Sequence, residues 1–251
     1  MYYMNTGDNH HKFWIILLCC VFWGCSDPLE GTWPSVPSVL YKGFTTSVRG
    51  ASFDYIDISE MNNIDKLLTD EINKYPQDYF KKINLYIVAI VKNLKVGQYY
   101  KAAMPDHKHK ILFISVSHDN GINYDNDYLM FCYHHDQHHY AEYALWGDYY
   151  YRWDKWEELY TGGHEGGETA YGRAVGFLND YQQLGPEEDR AEIIAYYMTP
   201  QGGYKGGRNI LITQAKNDTI LDQKVTLLFS LFRDRLSFPK LLVDYNMEMG
   251  R

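Results

Sequence analysis

Four histidines fall within eight residues, Tyr133-His134-His135-Asp136-Gln137-His138-His139-Tyr140, and this run restricts its segment more than any other feature of the chain. Residues four apart on a helix share a face, so His134 pairs with His138 and His135 with His139. The pattern predicts a helix over residues 127 to 146, stopped by Gly147. Two imidazoles at that spacing can hold one Zn²⁺ through ring nitrogens about 2.0–2.1 Å away. Only the His135/His139 register has an acid directly after its first histidine. An acid there can take the proton of a water that a metal has acidified. Tyr128, Phe131 and Cys132 lie one or two turns earlier on the face of His135, so that face is expected to be buried. His134 and His138 fall to the side, where they are expected to be exposed or to support the site from behind. The competing reading of the whole run is a surface patch that chelates metal, or a solvated face.

A catalytic zinc with two histidines needs a third protein ligand and one open position. Residues 179 to 198, "NDYQQLGPEEDRAEIIAYYM", supply candidates. Gly185-Pro186 opens a helix with proline at its first position, and acids fill the first turn, where the helix dipole favours them. Glu188, Ala191, Glu192 and Ala195 share one face. Two carboxylates with two alanines make a poor core stripe and suit a helix packed against something cationic. A capped surface helix would account for Glu187 and Glu188, but less well for Glu192.

The rest of the chain gives the frame. Residues 59 to 75 have helical spacing and end at Pro76. Residues 83 to 93, "INLYIVAIVKN", are apolar and β-branched enough for a buried strand, and residues 110 to 117, "KILFISVS", form a second. An irregular loop is expected over 148 to 168, with helices over 170 to 182, 186 to 198 and 218 to 236. Strands early and helices late give an α+β fold. With 24 Lys and Arg against 32 Asp and Glu, the net charge is −8. That balance argues against a nucleic-acid groove, which needs clustered bases.

Phe13 to Trp23 is an apolar run of 11 residues. As a helix it would span about 16 Å, too short for a hydrocarbon core of about 30 Å, and it fits the apolar region of an export signal. Gly24-Cys25-Ser26 follows and resembles a bacterial lipoprotein processing site, although Phe22 departs from the usual smaller residue. Residues 1 to 24 are therefore expected to be a signal peptide and Cys25 to carry lipid. Residues 25 to 45 would be a lipidated tether and 46 to 251 the folded domain. Of the four cysteines, only Cys132 then remains in that domain, so no internal disulfide is expected.

Together, "YHHDQHHYAEYAL" and "GFLNDYQQLGPEEDRAEIIAYYM" resemble the zinc-binding metallopeptidase lipoproteins of Bacteroidota. Those carry a His-His-Glu-x-x-His helix, then a Tyr, a short loop and an Asn-Pro-x-Glu-Asp-x-Ala-Glu helix. The C-terminal "LDQKVTLLFSLFRDRLSFPKLL" is similar to their closing helix. The arrangement also resembles the zinc site of anthrax lethal factor, with a Tyr seven residues before the liganding Glu, as Tyr181 stands before Glu188. The resemblance implies a zincin-like domain, mostly helical with a small sheet. It implies Zn²⁺ on His135, His139 and Glu188, Asp136 as base, Tyr181 stabilising the oxyanion and Glu192 orienting a histidine ligand. It further implies a peptide or protein substrate and a cell-envelope protein held at the membrane, in a Gram-negative outer membrane, by its N-terminal lipid.

Two departures from that pattern matter. Asp136 replaces Glu and is one methylene shorter, which would leave its carboxylate about 1 Å short, and such misplacement costs on the order of 100-fold. Gln137 and His138 are more polar than usual in that turn. The alternative is a zinc-containing surface binding lipoprotein with little or no catalysis. Tyr171 rivals Tyr181, and His164 and Glu165 are possible extra ligands in a glycine-rich loop. "QGGYKGGR", residues 201 to 208, lacks the spacing of a Walker loop. Asn217-Asp218-Thr219 is expected to cap the last helix, and the aromatic run from residue 146 to 160 to pack over the core, stacking of sugars being the other use.

Overall fold

The computed structural model describes residues 35–57, 59, 63–119, 121–147, 153–165 and 174–251, with backbone alone for 161–165. The signal segment, Cys25 and Tyr171 lie outside the described residues. Pro34–Arg251 forms one compact unit. No helix of the described residues is long and apolar enough to cross a membrane.

The sheet is built around one long strand. Its members are β1 (Ser38–Leu40), β2 (Ala51–Tyr55), β3 (Ile87–Val96), β4 (Tyr99–Tyr100), β5 (Ala103–Asp106) and β6 (Ile111–Ser115). The order is β1-β3-β6-β5, with β2 and β4 also paired to β3. β1 and β6 run parallel to β3, whereas β2 and β4 are antiparallel to it and β5 is antiparallel to β6. A small hairpin of β7 (Ser117–His118) and β8 (Ile122–Asn123) follows. Alternate residues of the central strands face opposite sides, as the pleat requires. Val88, Ile90, Leu112 and Ile114 join the helices in the larger core, while Ala89, Val91, Ile111 and Phe113 pack with Phe44 and Leu94 in a smaller one. Both faces are thus covered, which is why β3 is apolar from Ile87 to Val91 and β6 from Ile111 to Ile114.

Eight helices complete the described fold: α1 (Ile64–Ile72), α2 (Tyr79–Ile83), α3 (Asn126–Trp146), α4 (Asp154–Glu165), α5 (Pro186–Met198), α6 (Gly207–Ala215), α7 (Thr219–Leu236) and α8 (Pro239–Met249). The mixed fold agrees with the α+β expectation. α3 begins where Asp125 accepts hydrogen bonds from the backbone N–H groups of Asp127 (2.9 Å) and Tyr128 (3.2 Å), a cap worth about 1 kcal/mol. It ends at Gly147, whose φ is 60°. α5 starts at Pro186 with Glu187, Glu188 and Asp189 in its first turn, as its sequence dictates. Asp218 caps α7 through the N–H groups of Ile220 and Leu221, both at 3.1 Å.

Three expectations need correction. Ser38–Leu40, assigned to the tether, pairs with Ile87–Ala89 as β1, so the folded unit begins ahead of residue 46. The loop expected over 148 to 168 contains α4, which buries Trp156 completely. No helix runs from 174 to 180. There Gly176 has φ +85°, and a Cβ on it would meet Ile220 Cγ2 at 2.7 Å. Asn179 and Gln182 also turn their side chains onto local backbone: Gln182 Oε1 accepts from the N–H groups of Leu178 and Asn179, and Asn179 Oδ1 from that of Gln182. Such bonds compete with a helical ladder.

Candidate metal centre

α3 and α5 pack side by side, and their packing brings one histidine face against one acidic face. His135 Nε2 lies 2.9 Å from Glu188 Oε2, His139 Nε2 lies 3.3 Å from the same oxygen, and the two Nε2 atoms are 3.1 Å apart. Glu192, one turn after Glu188, places Oε1 3.2 Å from His135 Nδ1 on the opposite side of that ring. Asn179 Nδ2 donates to the other oxygen of Glu192 and also lies 3.3 Å from the Tyr196 hydroxyl.

The electrostatics of this cluster couple the histidines to the carboxylates. Burial alone would raise the Glu188 carboxyl, but its hydrogen bonds to His135 and His139 hold it well below the ordinary carboxylate range. Burial alone would lower His135, yet Glu188, Glu192 and Asp136 push it up to about 10. Two imidazole nitrogens facing each other across 3.1 Å cannot both present bare lone pairs without repulsion. Either a hydrogen on one of the nitrogens or a metal ion must sit between them. Tetrahedral coordination with bonds of about 2.0–2.1 Å spaces its ligand atoms about 3.3 Å apart. The observed edges, 2.9, 3.1 and 3.3 Å, are close to that figure. The donor set of two imidazoles and one carboxylate fits a metal ion. Among the described residues, His135, His139 and Glu188 are the group so arranged.

The three donors line a cavity of about 480 Å³, together with Asp136, Tyr181 and Glu192. Burial raises the pKa of Asp136 and Glu188 raises it further, against His135 and His139, which lower it. Tyr181 sits on a 3₁₀ turn, Tyr181–Leu184, just before α5. Its ring centroid is 5.8 Å from that of His135, and the residue is 45% exposed, open to the cavity and solvent. Burial of the phenol, with Glu188, Asp136 and Glu192 nearby, raises its pKa well above the ordinary tyrosine value, so it remains a hydrogen-bond donor.

The other register of the histidine run is not exposed, as one of its two readings had it. His134 is fully buried, with Nε2 2.7 Å from Glu71 Oε2 and Nδ1 2.8 Å from the Tyr75 hydroxyl. His138 is buried as well. Its Nε2 lies 3.0 Å from Glu142 Oε1, its ring stacks on Phe232, and Arg190 of α5 binds both oxygens of Glu142. Burial lowers the pKa of both histidines, and each is neutral support between helices. His164 and Glu165 fall at the end of α4, where side chains are outside the described ones. The aromatic run packs inward at Trp156, whose Nε1 donates to Asp189 at 3.1 Å.

Sequence reasoning missed Asn179 and the far wall of the cavity. That wall includes Lys101, Tyr204 and Lys205, the last two from the glycine-rich "QGGYKGGR" segment. The unusual spacing of glycines around one lysine was the available signal.

No protein-family profile matches the chain, and no curated protein does. A crystal structure described as a "putative zinc-binding metallo-peptidase" from Bacteroides caccae is similar to it, at 15% identity over 86% of this chain and 88% of that one, with a TM-score of 0.49.

Proposed function

We propose that this chain is a zinc-dependent metallopeptidase with a zincin-like domain. The observation that carries this reading is the convergence of His135 Nε2, His139 Nε2 and Glu188 Oε2 within 3.3 Å of one another at the floor of an open cavity. His135, His139 and Glu188 would hold Zn²⁺, the ion suited to two imidazoles and a carboxylate with one position left open. When bound there, zinc supplies a Lewis acid that polarises a peptide carbonyl and makes water acidic near neutral pH.

The chain's own residues supply the rest. Asp136, half-buried beside the two histidines with a raised pKa, accepts a proton and passes it to the departing amine. Tyr181 donates a hydrogen bond to the carbonyl oxygen as it becomes negative, an interaction stronger in the transition state than in the bound peptide. Glu192, held by Asn179, keeps the His135 ring turned toward Glu188. Metal analysis tests the centre: wild type should bind one Zn²⁺ per chain, and His135→Ala or Glu188→Ala should bind none. A mixture of unfolded peptides read by mass spectrometry tests the activity. Equal zinc content in wild type and Glu188→Ala would remove the ligand assignment.

Asp136 favours a second reading, because its shorter side chain suits metal binding better than proton transfer. In that case the protein is a zinc-containing binding lipoprotein, and neither wild type nor Asp136→Glu cleaves peptides with zinc bound. For either reading we propose attachment to the cell envelope through lipid on Cys25. Cys25→Ser should move the protein from membranes to the soluble fraction.

A further inference from the structure

The metal centre uses the floor of the cavity and leaves its far wall without a role. That wall is aromatic: Tyr128 lies 5.5 Å from Tyr124 and 5.0 Å from Tyr204, and Phe131 lies 5.0 Å from Tyr204, ring centroid to ring centroid. Two charged residues line the cavity besides Asp136, Glu188 and Glu192, and both are lysines, Lys101 and Lys205. Both are exposed, and among the described residues neither has an ion-pair partner. On a chain of net charge −8, the cavity thus sets two lysines against the three carboxylates of its lining.

Lys205 is held there against a backbone cost. Its φ of 51° and ψ of 23° are left-handed, a region glycine enters freely and a lysine does not. Gly202, Gly203, Gly206 and Gly207 surround it, yet the strained position itself is a lysine. Its ammonium lies 5.1 Å from the Tyr204 ring centroid, so the turn presents a cation beside the aromatic wall. Lys101 comes from the link between β4 and β5 and lines the same cavity.

We infer that Lys101 and Lys205 form an anion-accepting subsite at the cleft mouth, and that the peptides taken by this centre carry a carboxylate there, from an Asp or Glu side chain or from a free C-terminus. This rests on the peptidase reading for its substrate class. Two ammonium groups with no ion-pair partner among the described residues draw an anionic segment into the cleft, and fix which end of the peptide lies over the aromatic wall.

The test uses zinc-loaded protein and dye-labelled peptides that differ only as Glu or Gln, each with a free or amidated C-terminus. Binding is read by fluorescence anisotropy and cleavage by mass spectrometry. A carboxylate should improve binding about fivefold over its neutral twin, in line with two exposed ion pairs. The advantage should vanish at about 1 M salt, where the screening length is about 3 Å. It should also vanish when Lys101→Ala is combined with Lys205→Gly, a substitution that relaxes the backbone and so preserves the turn. Loss on Glu→Gln assigns the subsite to a side chain, and loss on amidation assigns it to a C-terminus; both support the inference. Equal binding of all four peptides overturns it, as does an advantage that survives in the double variant. Cleavage with no acidic preference leaves the peptidase standing without the subsite. Acidic preference with no cleavage leaves the subsite standing without the peptidase.

Discussion

Glu192 Oε1 lies 3.2 Å from His135 Nδ1, behind the ring whose other nitrogen faces Glu188. The contact falls short of a full hydrogen bond, and His135 Nδ1 is buried without another partner among the described residues. Both carboxylates stand on α5 one turn apart, so a single helix provides one group for the metal and one for the histidine. Carboxylates behind metal-bound histidines are worth about 10–100-fold in affinity. Glu192→Gln should weaken zinc binding by that range in a chelator competition, and Asn179→Ala by less. Unchanged affinity in Glu192→Gln would leave the carboxylate with a packing role only.

Asp136 should separate metal binding from turnover. It lines the cavity but is not among the three converging donors, so Asp136→Ala should keep its zinc and lose cleavage. Asp136→Glu restores the missing methylene and should raise turnover, with about 100-fold as the ceiling if 1 Å of reach is all that is lacking. Wild-type cleavage that Asp136→Ala leaves unchanged would exclude Asp136 as the base.

Tyr181→Phe removes a hydroxyl from a half-exposed ring and should cost little stability. A donor to developing negative charge is worth about 100-fold in kcat, and KM should scarcely move because the bond strengthens only in the transition state. A rise in KM at constant kcat would make Tyr181 a binding residue instead.

The helices that build the centre were legible because their signals are local. Gly147 marks the end of α3 and Gly185-Pro186 the start of α5, and the four-residue spacings of His135/His139 and Glu188/Glu192 set the faces. What joins those faces is not local. Glu71, the partner of His134, lies 63 residues away, and no spacing encodes it. His138 looked peripheral because what buries it is distant in sequence: Arg190 of α5, which binds its i+4 neighbour Glu142, and Phe232 of α7, which stacks on its ring. The segment from 174 to 184 kept apolar residues at helical intervals while Gly176, Asn179 and Gln182 turned its backbone elsewhere. β1 was hidden because three residues carry no period, and only β3 beside them makes them a strand.

Asp106 should set the acid limit of the small core. The carboxylate accepts from Thr46 Oγ1 at 3.0 Å, Ser47 N at 2.6 Å and His109 N at 3.2 Å, and from the Ser47 hydroxyl. Burial would raise its pKa, but these donors win and hold it below the ordinary value. A carboxylate depressed in the folded state contributes stability above about pH 4, its unfolded pKa, and loses it as pH falls further. Asp106→Asn should lower stability by about 2 kcal/mol at neutral pH. The difference from wild type should shrink below about pH 4 in denaturant titrations. A constant difference down to pH 3 would assign the effect to packing.

The two helices of the centre are locked by a buried ion pair, and its removal should read out at the metal. Arg190 and Glu142 are 0% and 1% exposed in their side chains, and His138 shares Glu142 Oε1 at 3.0 Å. Arg190 also lies over Trp156, with its guanidinium carbon 5.5 Å from the ring centroid. Arg190→Met strands a buried carboxylate and should cost about 3–5 kcal/mol, whereas Arg190→Met with Glu142→Leu replaces a charged pair by apolar volume and should recover most of that loss. The recovery would not extend fully to zinc. Glu142 stands on α3 and Arg190 on α5, two residues after Glu188, so their bonds fix the sliding of one helix along the other. An apolar contact fills the space without fixing that register. The double variant should therefore regain its unfolding midpoint while binding zinc more weakly than wild type. If stability and zinc affinity recover together, shape alone aligns α3 with α5 and the ion pair adds nothing to the geometry of the centre.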